Sequence, residues 1–286
     1  MSLNETNNNK NFNFSFEIFP PKDDITGEKT ENLYKEIDVL NKHNPTLFSV
    51  TFGAGGSNKD LSFGIVKHLI NNNIEVMPHF TCICTSTSQI NERLEELKKL
   101  NVKNILALRG DEPKDITVCY PDFRYANQLV KYIKQNTNFN ISVACYPEGH
   151  IEAENLDKDI INFKHKVDEG AVQAFSQMFF DNSKFMFFLD KVYKTGINIP
   201  IIPGILPVTS YKQINKMLSL ARVTFPKNLM EKLEKYQNDK YAMSQIGIEF
   251  ATKQCLELLE KYGINNFHFY TLNKSFAVDE IIKNLK

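Results

Sequence analysis

Short apolar runs rich in Val, Ile, Phe and Thr recur at 14–19, 47–52, 75–82, 104–109, 141–146, 172–178, 200–203 and 267–271. Each reads as a strand. Several are apolar on both faces, the pattern of a parallel sheet covered by helices rather than of a sheet wet on one side. Between them, apolar residues spaced by three and four predict amphipathic helices: Leu33, Ile37 and Leu40; Ile90, Leu94 and Leu97; Leu156, Ile160, Phe163 and Val167. The alternation continues over 12–286 without a Pro/Gly/Ser-rich linker. It predicts one closed (β/α)8 barrel, a TIM barrel, in place of two doubly wound domains. Extra helical pattern at 211–235 and 241–262, between the seventh and eighth strands, is expected to flank the barrel mouth or an oligomer contact. Residues 1–11, Asn-rich and without apolar period, read as a disordered tail.

Composition narrows the function classes. With 34 Lys+Arg against 34 Asp+Glu, the chain has no electrostatic footprint for phosphate backbones or anionic lipid, so neither nucleic acid nor a membrane is an expected partner. The apolar content of 42%, with 22 Phe, suffices for a large core. No run long enough to span a bilayer is present, and the first residues lack the basic and apolar regions of an export signal. A cytoplasmic chain is therefore expected. Its five cysteines, Cys82, Cys84, Cys119, Cys145 and Cys255, are odd in number and scattered, so they are expected to be reduced thiols, and no metal site is expected.

In such a barrel the chemistry sits at the C-terminal ends of the strands. Those ends carry Glu17, Thr51-Phe52 before a glycine-rich turn, His79, Arg109-Gly110-Asp111, Tyr146 to His150, Gln177 and Lys274. Glu17 is either an exposed residue of a misplaced strand or, on a central strand, a desolvated acid that keeps its proton near neutrality. The turn 53–56 lacks both nucleotide-loop spacings and reads more simply as a tight strand-to-helix turn. Arg109 and Asp111 suit either a salt bridge or a cofactor bearing phosphate and a polar ring. Asp159, Asn162 and Lys166 share one helix face beside Tyr146 and His150, which suits an extended cofactor tail. His268 reads as a satisfied core histidine, and the Phe-rich stretch 179–189 as an apolar contact if exposed. From the residues alone this is a barrel with an acid, amides and a groove, without a named reaction.

The segments SFEIFPPK (15–22), SVTFGAGG (49–56), LALRGDEP (106–113), SVACYPEGH (142–150), IIPGILPV (201–208) and FHFYTLN (267–273) together resemble, in order, the methylenetetrahydrofolate reductase family, in its short bacterial form without a regulatory domain. The resemblance implies an FAD-dependent barrel that reduces 5,10-methylenetetrahydrofolate to 5-methyltetrahydrofolate by a ping-pong scheme, with NADH or NADPH reducing the flavin. It also implies a homo-oligomer and a supply of methyl groups for methionine. Glu17 matches the general acid, Asp111 the carboxylate near the flavin, and Gln177 an amide that meets folate and nicotinamide in turn. Thr51, Phe52, Ala54, His79, Arg109, Gly110, Asp111, Ala126, Tyr146, His150, Ala153, Asp159, Asn162, His165 and Lys166 match FAD contacts. Asp111, Gln177, Gln213 and Lys274 match folate contacts. The chain departs from the family at Phe52 (commonly Tyr), His165 (Arg), Met217 (an aromatic ring) and Lys274 (Arg). Arg to Lys loses the planar fork that grips a carboxylate twice.

A second reading is a folate- or flavin-binding barrel without turnover, a partner subunit in a larger complex. The retention of Glu17, Asp111 and Gln177 together argues against it, because a binder has little use for a buried acid beside a flavin.

Overall fold

The computed structural model describes residues 12–22, 24, 26–52, 59–111 and 122–286. The tail 1–11, the turn 53–56 with Ala54, and Cys119 lie outside the described residues. The strands are β1 (Asn13–Ile18), β2 (Leu47–Val50), β3 (Val76–Thr81), β4 (Asn104–Leu108), β5 (Asn140–Cys145), β6 (Gln173–Ser176), β7 (Ile201–Ile202), β8 (Gly204–Ile205) and β9 (Asn266–Tyr270). All pair in parallel, in the order β7-β6-β5-β4-β3-β2-β1-β9-β8. β7 and β8 are two halves of one strand interrupted at Pro203, which has no N–H for the ladder. The first half pairs with β6 and the second with β9, so the sheet closes as a (β/α)8 barrel. The apolar run at 200–203 therefore marks only the first half, and the strand resumes beyond the proline. Pro203 still contributes its carbonyl, which accepts from the His268 N–H at 3.0 Å.

Helices α1 (Glu28–Asn41), α2 (Lys59–Asn71), α3 (Thr87–Lys99), α4 (Ala126–Asn136), α5 (Leu156–Asp168) and α6 (Asn182–Lys194) follow the first six strands, and α10 (Phe276–Leu285) follows β9. The expected extra helix is present as α7 (Tyr211–Leu220) and α8 (Lys227–Lys235), before the long α9 (Lys240–Tyr262). These pieces share a satellite core of Met178, Phe180, Leu206, Val208, Ile214, Met217, Leu229, Leu233 and Met243, built on residues that follow β6 and β8. They thus flank the barrel mouth, as predicted.

The two-residue alternation of β1 decides which way its acid points. Phe14, Phe16 and Ile18 are buried in the core shared with the helices, including Leu33, Ile37 and Leu40 of α1. Ser15 and Glu17 then face the barrel interior. A one-residue slip would exchange the two sets, at about 1.5–3 kcal/mol for each large apolar side chain moved out of the outer core. Leu47, Met77, Leu106, Phe175 and Ile202, all from strands, form a separate apolar floor inside the barrel. His268 is the satisfied core histidine expected, fully buried with Nδ1 2.8 Å from Ser15 Oγ and its ring edge-on to Phe175.

Two expectations are corrected. Cys82, Cys145 and Cys255 are free and buried, but Cys84 is disulfide-bonded. Spacing along the chain does not report which thiols approach in space. The Phe-rich stretch is not an apolar surface: Phe179, Phe180, Phe185, Phe188 and Leu189 are buried and Phe187 alone of its phenylalanines is exposed. No described helix is long and apolar enough to cross a membrane.

Candidate active site

Glu17 is the last but one residue of β1, in register with Ser49 of β2 and Tyr270 of β9. Its carboxyl Oε2 stands 3.5 Å from His79 Nε2, which is itself 3.4 Å from Ser49 Oγ. Burial pushes the Glu17 carboxyl up to about 7 and the His79 imidazole down to about 4. At neutral pH the histidine is uncharged and the acid holds its proton about half of the time. The backbone of this acid is fixed from the neighbouring strand end. Thr271 Oγ1 donates to the Glu17 carbonyl at 2.6 Å, and the Asn273 amide pairs with Phe19, accepting from its N–H at 2.9 Å and donating to its carbonyl at 2.6 Å. Asn273 extends the pairing beyond the end of β9 from a left-handed backbone, φ 57°, that asparagine tolerates better than most residues. Tyr270 turns its hydroxyl away, donating to the Ser176 carbonyl at 2.6 Å. This is possible because Gly204 lies beneath the ring: a Cβ there would stand 2.6 Å from Tyr270 Cε2 and 2.2 Å from the Ser176 oxygen.

Two cavities, of about 380 Å³ and about 260 Å³, meet over Asp111, Tyr146 and His150 and form one elongated groove. Gln177 lines the first, its Oε1 accepting from the Met178 N–H at 3.0 Å, so the NH2 end is the one free to donate to a ligand. His79, Phe52, Arg109 and Gly110 line the second. Gly110 has φ +87°, and a Cβ would meet Ile83 Cγ2 at 2.7 Å, so the groove wall needs glycine. Tyr146 and His150 meet edge to face at 4.7 Å.

Beneath them Lys166 donates to the Ala144 carbonyl at 2.6 Å and sits 5.9 Å over the Tyr146 ring. Burial lowers its pKa, opposed by the charge of Asp159. Asp159, buried at the start of α5, accepts the His150 backbone N–H, and burial raises its pKa. The pair therefore braces the 146–150 segment from behind. Arg109 is held by Glu152 through two bonds of 2.5 and 2.6 Å, an arrangement in which the exposed carboxylate fixes the plane of the guanidinium.

The groove thus gathers Phe52, His79, Arg109, Gly110, Asp111, Tyr146, His150 and Gln177, with Asp159 and Lys166 behind it. Thr51, Ala126, Ala153, Asn162 and His165 are not among its lining residues, and the last two are exposed on α5. Gln213 and Lys274 line a different cavity, of about 500 Å³, whose inner end is formed by Tyr270 and Thr271. Sequence reasoning missed Ser49, Tyr270, Thr271, Asn273, Glu152 and the Arg222 that lines the groove. Strand alternation carried the signal for Ser49 and Tyr270. Nothing local in the sequence pairs Glu152 with Arg109 or Asn273 with Phe19. Among the described residues no group of three or more His, Cys, Asp or Glu is placed to hold a metal ion.

A solved structure described as an uncharacterized protein from Clostridium thermocellum that binds two copies of 5-methyl-5,6,7,8-tetrahydrofolic acid superposes with a TM-score of 0.65 over 96% of this chain and 94% of its own. At 15% identity this likeness speaks for the fold alone. The 5,10-methylenetetrahydrofolate reductase of Pectobacterium carotovorum subsp. carotovorum is 38% identical over 92% of this chain and 86% of its own length. That of Escherichia coli (strain K12) is 36% identical, covering 92% and 87%. Methylenetetrahydrofolate reductase 1 of Schizosaccharomyces pombe is 39% identical over 95% of this chain, which spans only 45% of that longer protein. The family profile described as methylenetetrahydrofolate reductase matches residues 2–286, and the chain belongs to that family.

Proposed function

We propose that the protein reduces 5,10-methylenetetrahydrofolate to 5-methyltetrahydrofolate, using FAD as cofactor and NADH or NADPH as reductant, in two half-reactions at one site. The observation that carries the reading is Glu17, a carboxyl in the barrel mouth that burial alone brings up to about 7. Such a group donates a proton at neutral pH, where an ordinary carboxyl cannot. The groove is suited to FAD on two counts: its length, from Phe52 and His79 to Arg222, and the close backbone approach at Gly110. When bound, the flavin supplies the hydride.

The chain's own residues have separable tasks. Glu17 protonates the folate so that its five-membered ring opens to an iminium cation. Asp111, at the junction of the two cavities, offers that cation a carboxylate. Gln177 donates to the folate, or to the nicotinamide in the other half-reaction. Arg109, His150, Asp159, Lys166 and the α5 residues Asn162 and His165 hold the cofactor, and Gln213 and Lys274 hold the folate. Cytoplasmic residence, a homo-oligomeric state and a role in methyl supply for methionine complete the reading on family grounds.

The test is an absorbance spectrum of the purified protein before and after anaerobic NADH. A yellow protein that NADH bleaches and methylenetetrahydrofolate reoxidises is expected. A colourless protein that takes up no added FAD would sink the proposal.

A further inference from the structure

The strand end that carries Gln177 lacks a rung of its ladder. β6 and β7 pair with Ala174 opposite Ile201 and Phe175 opposite Ile202, and the Ala174 N–H donates to the Pro200 carbonyl at 2.9 Å. A parallel ladder repeats every two residues, so its next rung would run from the Gly204 N–H to the Ser176 carbonyl. Instead the Gly204 N–H donates to the Ser176 hydroxyl at 2.9 Å, and the Ser176 carbonyl accepts from the Tyr270 hydroxyl at 2.6 Å. The interruption at Pro203 is thus closed by two side-chain hydroxyls.

The replaced rung lies on the peptide unit that aims Gln177. The carbonyl end of this unit, at Ser176, is the one bonded to Tyr270, and its N–H end, at Gln177, donates to the Cys145 carbonyl of β5 at 2.7 Å. The two bonds fix the plane of the unit, and with it the direction in which the Gln177 side chain leaves the backbone. Ser176 is fully buried, so without the phenol its carbonyl would lose this partner in a place closed to water. Tyr270 reaches it because Gly204 leaves room: a Cβ there would stand 2.9 Å from the phenol oxygen. Burial and the nearby charge of Glu17 hold the phenol proton in place, so the hydroxyl remains a donor. Tyr270 is also the register partner of Glu17 in β1.

We infer that Tyr270 is a positioning residue for Gln177: its hydroxyl, replacing the rung lost at Pro203, fixes the strand end from which that amide reaches its ligands. One ring thus links the strand end of the acid Glu17 to that of the amide Gln177. The inference rests on the reading above, in which Gln177 meets folate and nicotinamide in turn, and adds to it the residue that holds the amide. A loosened Gln177 then weakens both ligands rather than one. The loss of one such hydrogen bond is worth about three- to tenfold in affinity.

The experiment is a double-mutant cycle between Tyr270→Phe, which removes only the hydroxyl, and Gln177→Ala. Tyr270→Phe alone is expected to raise KM for NADH and for 5,10-methylenetetrahydrofolate by about three- to tenfold, with kcat within about twofold of wild type. In the Gln177→Ala background the same substitution is expected to change either KM by less than about twofold. Unchanged KM values in Tyr270→Phe, or the same factor in both backgrounds, overturn the inference, because a merely structural loss adds to that of Gln177 instead of acting through it. Amide hydrogen exchange reads the tie without substrate. The Met178 N–H, bonded to Gln177 Oε1 at 3.0 Å, is expected to exchange about three- to tenfold faster in Tyr270→Phe, while the amides of β3, three strands from both β6 and β9, keep their rates. Equal quickening in both places, or none at Met178, overturns the inference as well. A wild type that reduces no folate overturns the activity reading instead, and the exchange rates then decide the tie by the same outcomes.

Discussion

Glu17 Oε2 and His79 Nε2 face each other at 3.5 Å across the barrel mouth, and burial drives both toward their neutral forms. A charged histidine would stabilise the carboxylate and pull the acid down. A histidine that stays neutral down to about 4 leaves the proton on Glu17 up to about 7. On the function proposed above, the pair is set to give a proton and the histidine is a positioning residue for the acid.

Replacing Glu17 by Gln separates the two half-reactions. Flavin reduction by NADH needs no protein acid and is expected to stay within about twofold of wild type, while folate reduction falls by about 10²–10⁴, the usual contribution of a general acid. Stopped-flow absorbance reads both steps on one sample. An equal loss in both would remove the role assigned to Glu17.

The same carboxyl makes folding stability depend on pH in a stated direction. The native state keeps the Glu17 proton up to about 7, whereas the unfolded chain releases it near 4.5. Between those values the native state binds more protons, so this group's contribution falls as pH rises and is fully lost above about 7. Glu17→Gln is expected to be more stable than wild type by up to about 3 kcal/mol at pH 8, and nearly equal to it at pH 4. Urea titrations of both proteins at the two pH values check this, and a pH-independent difference contradicts it.

Asn273 ties the end of β1 to the end of β9. Asn273→Ala removes both bonds to Phe19 and strains a backbone at φ 57°, with an expected loss of about 1–3 kcal/mol. Asn273→Gly relieves the backbone but not the bonds. Folate reduction is therefore expected to remain slowed in both variants while flavin reduction is spared in both. Recovery of the folate step in the glycine variant would show that backbone strain, and not the tie to Phe19, governs the placement of Glu17.

Much of this was legible from the chain because strand periodicity carries two messages at once. In β1 the phenylalanines name the outer face, and the same alternation aims Ser15 and Glu17 inward, so fold and acid come from one pattern. Only the first half of the seventh strand is legible, because Pro203 ends an apolar run without ending the barrel: its carbonyl still accepts from the His268 N–H. Pairings between distant loops, such as Arg109 with Glu152 or Asn273 with Phe19, leave no local trace. They are set by which strand ends meet at the rim. Cysteine number and spacing likewise carry no signal that Cys84 is disulfide-bonded.

His165 offers the cleanest gain-of-binding test. It is exposed in the last turn of α5, one residue from Lys166, where the family resemblance implies an arginine against the FAD diphosphate. Arg stays charged at every accessible pH and presents a fork that matches two phosphate oxygens, whereas an imidazole offers one donor at a time in its neutral form. His165→Arg is therefore expected to tighten FAD binding by about three- to tenfold, read by quenching of flavin fluorescence, with the gain shrinking at high salt. Lys166→Met is the contrast. Its ammonium is bonded to the Ala144 carbonyl and is the largest favourable charge on Asp159, so its loss leaves the carbonyl without that donor and the buried carboxylate less compensated. That variant is expected to lose stability as well as FAD affinity, whereas His165→Arg changes affinity alone. Unchanged FAD affinity in His165→Arg would mean that the diphosphate does not reach this turn of α5, and the assignment of His165 to the cofactor would fall.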